Sequence, residues 1–154
     1  MKAQKGFTLV EILIVVVILG ILAAIVVPQF TQASTEAKTN SLCSNLQSLR
    51  SQIELYKVQH GDTPPALETF EDQMIYCTNA AGAIQGDGSK ARDNENGYIY
   101  GPYLERVPNN PFNNWNGVGA AAGDDIGWGY NAATGEIWAA DGGTTAAGIP
   151  HADL

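Results

Sequence analysis

Basic residues are scarce: eight Lys and Arg against sixteen Asp and Glu in 154 residues, a formal charge of −8. Setting Lys2 and Lys5 aside leaves about −10, with the remaining basic residues scattered and no patch to neutralise phosphates. That excludes nucleic acid as a direct partner. Histidine is scarcer still. His60 and His151 are the only two, and neither has a cysteine or second histidine at metal-ligand spacing. No Gly-x-Ser-x-Gly nucleophile elbow occurs, so enzymatic activity has no residue-level support. Gly117-Val118-Gly119 with Gly123 lacks the strand-to-helix setting of a dinucleotide loop and reads as a flexible loop.

Charge of either sign is missing from Ile12 to Val27. Counted from Phe7, the apolar run has about 21 residues, enough as a helix to cross a ~30 Å hydrocarbon layer. Lys2 and Lys5 precede it, so the positive-inside tendency places the N-terminus in the cytoplasm and the chain after Pro28 outside. A conventional secretory signal is the competing reading, with Ala23-Ala24 as a loose cleavage site; it would leave a secreted binding or enzymatic domain. Against it stand the short basic part, Glu11 within the run, and Ile25 to Pro28 where a polar cleavage zone belongs. Glu11 is the anomaly: an ionisable residue in a membrane segment marks function unless it snorkels to headgroups about 6 Å away along the helix.

Beyond Pro28, Leu42, Leu46, Leu49, Ile53 and Tyr56 advance by alternating fours and threes, one face of a helix. Arg50 with Glu54 and Glu54 with Lys57 stand at helical-neighbour spacings off that stripe. Gly61 and Pro64-Pro65 stop the helix near His60. Leu67, Phe70 and Met74 predict a short second helix, and Asn79 to Gly97 reads as a surface loop. Ile126 to Tyr130 and Glu136 to Ala140 predict a β-hairpin laid against the amphipathic helix. Trp115, Trp128, Tyr130 and Trp138 are read as core, with a carbohydrate- or partner-binding face as the other reading. The expected fold is α+β: a long N-terminal helical spine, with an apolar membrane half and an amphipathic half, and a small head containing a short helix and an antiparallel hairpin.

Lys5-Gly6-Phe7-Thr8-Leu9-Val10-Glu11-Ile12-Leu13-Ile14, the apolar run and Pro28 together resemble a type IV prepilin-like protein. The resemblance implies a leader at 1–6, an assembly helix at 7–28, its amphipathic continuation at 29–60 and a periplasmic head at 61–154. It implies cleavage by a prepilin peptidase after Gly6 and N-methylation of Phe7. It also supplies a partner for Glu11, the Phe7 ammonium of a neighbouring subunit, an opposite charge that favours the ionised carboxylate. Pro28 is either a passive kink or a point of local helix melting in the filament. Cys43 and Cys77, in an exported segment, are either a disulfide contributing typically ~2–4 kcal/mol or two free buried thiols.

Leu49 to Lys57, followed by proline and then Gly101-Pro102-Tyr103-Leu104-Glu105-Arg106-Val107-Pro108-Asn109-Asn110-Pro111-Phe112, resemble the G-type major pseudopilin of type II secretion. That branch implies a short periplasmic filament that helps export folded proteins. Its partners would be copies of itself, the peptidase and methyltransferase, an inner-membrane assembly platform, minor pseudopilins and, before assembly, membrane lipid. A type IV pilus pilin for adhesion, motility or DNA uptake is the alternative within the same fold. No cofactor is certain; the G-type family's calcium site in its C-terminal loops makes Asp124, Asp125 and Asp141 candidate ligands, against a calcium requirement of six to eight oxygens.

Overall fold

The computed structural model describes residues 7–86 and 88–154. Gly6, the residue expected to precede cleavage, lies outside them. Helix α1 (Leu9–Gln59, 51 residues) runs without interruption through Pro28. The chain divides into two compact units, one ending at Ala37 and the other spanning Lys38–Leu154.

In the first unit every large apolar residue from Phe7 to Phe30 is exposed. Nothing there is amphipathic, so no face is set aside for a core. Pro28 has no N–H to offer the Ala24 carbonyl. Just beyond it, Thr31 Oγ1 donates to Val27 O at 3.3 Å and Thr35 Oγ1 to Thr31 O at 3.0 Å.

In the second unit the predicted stripe is the buried one: Leu42, Leu46, Leu49, Ile53 and Tyr56 are each at most 2% exposed. α1 ends in a Schellman geometry, with Asp62 N–H donating to Lys57 O at 2.8 Å. Gly61 holds the left-handed conformation this needs, at φ 64°. A 3-10 turn (Leu67–Thr69) leads into α2 (Phe70–Ile75), the short helix expected from Leu67, Phe70 and Met74.

The sheet has three strands, β1 (Gly117–Gly119), β2 (Ile126–Asn131) and β3 (Glu136–Ala139), in the order β1-β2-β3. β2 and β3 form the predicted antiparallel hairpin, with Trp128 opposite Ala139 and Tyr130 opposite Ile137. β1 corrects the flexible-loop reading of Gly117-Val118-Gly119: it pairs parallel to β2. Its glycines are needed there, because a Cβ on Gly117 would overlap the Asp125 carbonyl.

β2 is covered on both faces. Trp128 and Tyr130 enter the core with the α1 stripe. On the other side a Cβ at Gly129 would overlap the Trp138 ring, and one at Gly127 the Trp115 carbonyl. The buried polar tips are satisfied: Trp128 Nε1 donates to Pro108 O at 2.7 Å and Tyr130 Oη to Pro65 O at 2.8 Å. Tyr130 also meets Phe70 edge-on, with ring centres 4.7 Å apart. Trp115 and Trp138 depart from the core reading: Trp115 is 47% exposed, and Trp138 is half-buried on the face of the hairpin away from the core cluster.

Two expected local pairings resolve differently. Lys57 Nζ meets Glu54 Oε1 at 2.9 Å, as helical spacing predicts. Arg50 turns instead to backbone, donating to Leu154 O at 2.8 Å and Ile137 O at 3.1 Å. Glu54 is engaged by Lys57, and an exposed pair at this spacing contributes little in any case.

Candidate assembly surface

The start of α1 places Glu11 in a definite setting. Thr8 occupies the N-cap position and Glu11 the third helical position, the S/T-x-x-E spacing of a capping box. Thr8 N–H and Thr8 Oγ1 both donate to Glu11 Oε2 at 2.8 Å, and Glu11 N–H donates back to Thr8 Oγ1 at 3.2 Å. An acidic group in the first helical turn also faces the positive end of the helix dipole. Glu11 in the single chain is therefore not an unpartnered charge. Both of its bonds use Oε2, leaving Oε1 as the oxygen that can accept from a further group.

Phe7 stands just before this box and is 83% exposed. Leu9, Ile12, Leu13 and Val16 line one shallow apolar groove along the following turns. The helix is long and apolar enough to cross a membrane. A surface that is apolar all round suits a lipid environment or a bundle of like helices.

The other candidate residues fall elsewhere. Cys43 and Cys77 are not joined to each other in the structure. Cys43 lies next to the buried stripe on the exposed side of α1, whereas Cys77 is fully buried with its Sγ 3.4 Å from Lys90 O. Burial pushes the Cys77 thiol up, with Arg92 acting weakly in the opposite sense.

The three carboxylates considered for calcium do not converge. Among the described residues no three His, Cys, Asp or Glu side chains are grouped to hold a metal. Asp124 and Asp125 are exposed in the turn before β2. The Asp141 side chain is buried elsewhere and already accepts three hydrogen bonds: Oδ1 from His151 Nδ1 at 2.8 Å and Gly143 N at 2.7 Å, and Oδ2 from Asn110 Nδ2 at 2.9 Å. A cation placed there would face three N–H donors, so the donor set does not fit calcium.

His60 is also engaged structurally. Its ring stacks on Tyr56 with centres 3.8 Å apart, Nδ1 lies 2.8 Å from Tyr56 O and Nε2 lies 3.0 Å from Thr78 Oγ1. Because a carbonyl only accepts, Nδ1 carries the hydrogen.

A family profile described as "Prokaryotic N-terminal methylation motif" matches residues 1–27, the stretch that contains the box and the apolar run. The chain is 31% identical to "Type II secretion system core protein G" of Klebsiella pneumoniae over 112 residues, 73% of this chain and 71% of the relative. The chain belongs to the type II secretion core protein G family. The Pseudomonas aeruginosa member is 32% identical over 113 residues, again 73% of this chain and 71% of the relative. A "Fimbrial protein" of Pseudomonas aeruginosa is 46% identical over a shorter 102 residues, 64% of this chain and 66% of the relative. No solved structure matches. As a core protein G family member the chain keeps the methylation motif and the apolar helix together.

Two features of the site escaped the sequence reading. The Thr8 cap was legible in the Thr8-x-x-Glu11 spacing, but Glu11 drew attention as a charge and not as a cap. The engagement of Asp141 by His151 and Asn110 had no local signal, because the three residues come together only in the folded head.

Proposed function

We propose that this chain is a structural subunit of a type II secretion pseudopilus, whose mechanism is assembly. The observation that carries the reading is the exposed apolar helix headed by the Thr8–Glu11 box, in a chain of the core protein G family. Lys2 and Lys5 hold the N-terminus on the cytoplasmic side of the inner membrane and the head faces the periplasm. A prepilin peptidase cuts after Gly6, and the amine exposed on Phe7 is methylated. Helices then leave the bilayer and bundle, which returns their apolar surface to a dry environment without lipid. The Glu11 oxygen not held by Thr8 accepts from the Phe7 ammonium of a neighbouring subunit, which sets the register between them.

Peptidase, assembly platform and minor pseudopilins are the partners this route requires. Mass spectrometry of the mature N-terminus checks it: a chain beginning with methylated Phe7 is expected, and one beginning after Ala24 would mean a conventional signal. Deleting the protein should strand folded exoproteins in the periplasm.

The fimbrial relative supports a second reading, a type IV pilus pilin. Under it, the deletion strain would secrete normally and lose surface fibres or the motility, adhesion or DNA uptake they provide.

A further inference from the structure

Residues 142–154 have little core of their own. The segment folds back on itself: Thr145 N–H donates to Ile149 O at 2.8 Å, Gly148 N–H to Thr145 O at 2.9 Å, and His151 N–H to Gly143 O at 2.9 Å. It closes with a 3-10 turn at His151–Asp153. Its large apolar side chains are two: Ile149, 47% exposed, and Leu154, partly buried against the core. Apolar burial at Leu154 alone is a small anchor for such a segment.

The most deeply buried side chain of the segment is His151, at 1% exposure. Its Nδ1 reaches Asp141 Oδ1 at 2.8 Å, with the Asp141 side chain 3% exposed. Asn110, fully buried, bridges the pair to the sheet: its Nδ2 lies 2.9 Å from Asp141 Oδ2 and 3.0 Å from Gly127 O, and its Oδ1 accepts from Phe112 N at 2.9 Å. The Phe112 ring covers the imidazole, with centres 4.1 Å apart. The segment is thus joined to α1 through Arg50 and Leu154, and to β2 through His151, Asp141 and Asn110.

We propose that the Asp141–His151–Asn110 clasp fastens residues 142–154 to the head without a metal, in the role that the resemblance to G-type pseudopilins gives to calcium in these loops. The physical ground is the donor set. The buried carboxylate already accepts from three N–H groups, which a cation would have to face, and Asp124 and Asp125 are exposed in the turn before β2 and not grouped with it. A buried carboxylate with three donors is stabilised where it stands, and taking one donor away strands it. The inference concerns the head's stability and stands whether the filament belongs to secretion or to a pilus.

Hydrogen exchange followed by mass spectrometry on the full chain in detergent tests it. The hydrogen-bonded amides of Gly143, Thr145, Gly148, Ile149 and His151 should be protected equally with a calcium chelator and with calcium chloride at about 5 mM, above the weak range of extracellular sites. His151→Ala should speed exchange of this segment about tenfold or more, the consequence of leaving a buried charged acceptor short of a donor. If that variant loses protection across the whole head, two milder ones decide. His151→Asn places an N–H donor where Nδ1 was and should keep the protection; His151→Gln places its donor nearer Nε2 and should lose it. Protection that rises with calcium would overturn the proposal, as would a His151→Gln segment as protected as that of His151→Asn.

Discussion

Thr8 and Glu11 bind each other in both directions, side chain to backbone each way, so the carboxylate in the apolar helix also caps that helix. Two duties can be separated because glutamine serves a capping box and carries no charge. Glu11→Gln should leave the start of α1 ordered and still fail to assemble, if pairing with a neighbour's ammonium sets the register. Glu11→Val should lose both. Amide exchange at residues 9–12 in detergent reports the cap, and sedimentation or electron microscopy of sheared filaments reports assembly. Full filament yield from Glu11→Gln would show that the charge is dispensable.

Thr8→Ala removes the other half of the box. Loss of an N-cap side chain costs about 0.5–2 kcal/mol of helix stability. The expected result is fraying confined to the first turn, with thermal unfolding of the head unchanged, because the head's core lies beyond Lys38. A lowered head melting temperature would contradict that separation.

Buried tyrosines set an alkaline limit on the head. Burial pushes Tyr56 and Tyr103 up to about 12, and Tyr130 is raised for the same reason. The unfolded chain releases these protons near pH 10, before the folded one does, so the unfolded state binds fewer protons above that point. The stability contribution is therefore complete below about pH 10 and is lost as pH rises through about 12. In a variant with Tyr76, Tyr98 and Tyr100 replaced by Phe, which leaves these three as the reporters, circular dichroism and tyrosinate absorbance should change together across that window. Tyrosinate appearing in that variant well before structure is lost would mean that these hydroxyls are not held by burial.

The legible parts of the fold were those with local periodicity. Leu42 to Tyr56 gave away their face because one helix carries the whole stripe, and the hairpin showed through strand-forming residues on both sides of a turn. β1 did not show: Gly-Val-Gly has little strand preference, and its pairing follows from how close the backbone must pass to Asp125. Arg50 departs from its helical-neighbour pairing for a related reason. The spacing rule sees Glu54 four residues on, but the carbonyls that hold the guanidinium belong to Ile137 and Leu154, far along the chain. Asp141 looked like a metal ligand for the same cause, since His151 and Asn110 reach it only through tertiary structure.

Gly129 offers a test of the sheet's second face. Trp138 lies across it so closely that a methyl group would displace the ring. Gly129→Ala should destabilise the head by about 1–3 kcal/mol, the usual cost of overpacking, and shift the tryptophan fluorescence. Gly123→Ala is the control, because a Cβ there meets only Ile126 Cγ1 at 3.6 Å, an ordinary contact. Denaturant melts of the two variants in the same detergent should therefore differ clearly.

The cysteines yield the most direct chemical check. Cys43 is exposed and Cys77 is fully buried, with the Cys77 thiol pushed up by its surroundings, so the two should react at very different rates. In the folded chain one thiol should titrate quickly, and alkylation followed by mass spectrometry should find the label on Cys43. The second should appear only on denaturation, and reductant should add nothing. If neither thiol reacts until reductant is present, a bridge exists and one of the two segments must move to form it.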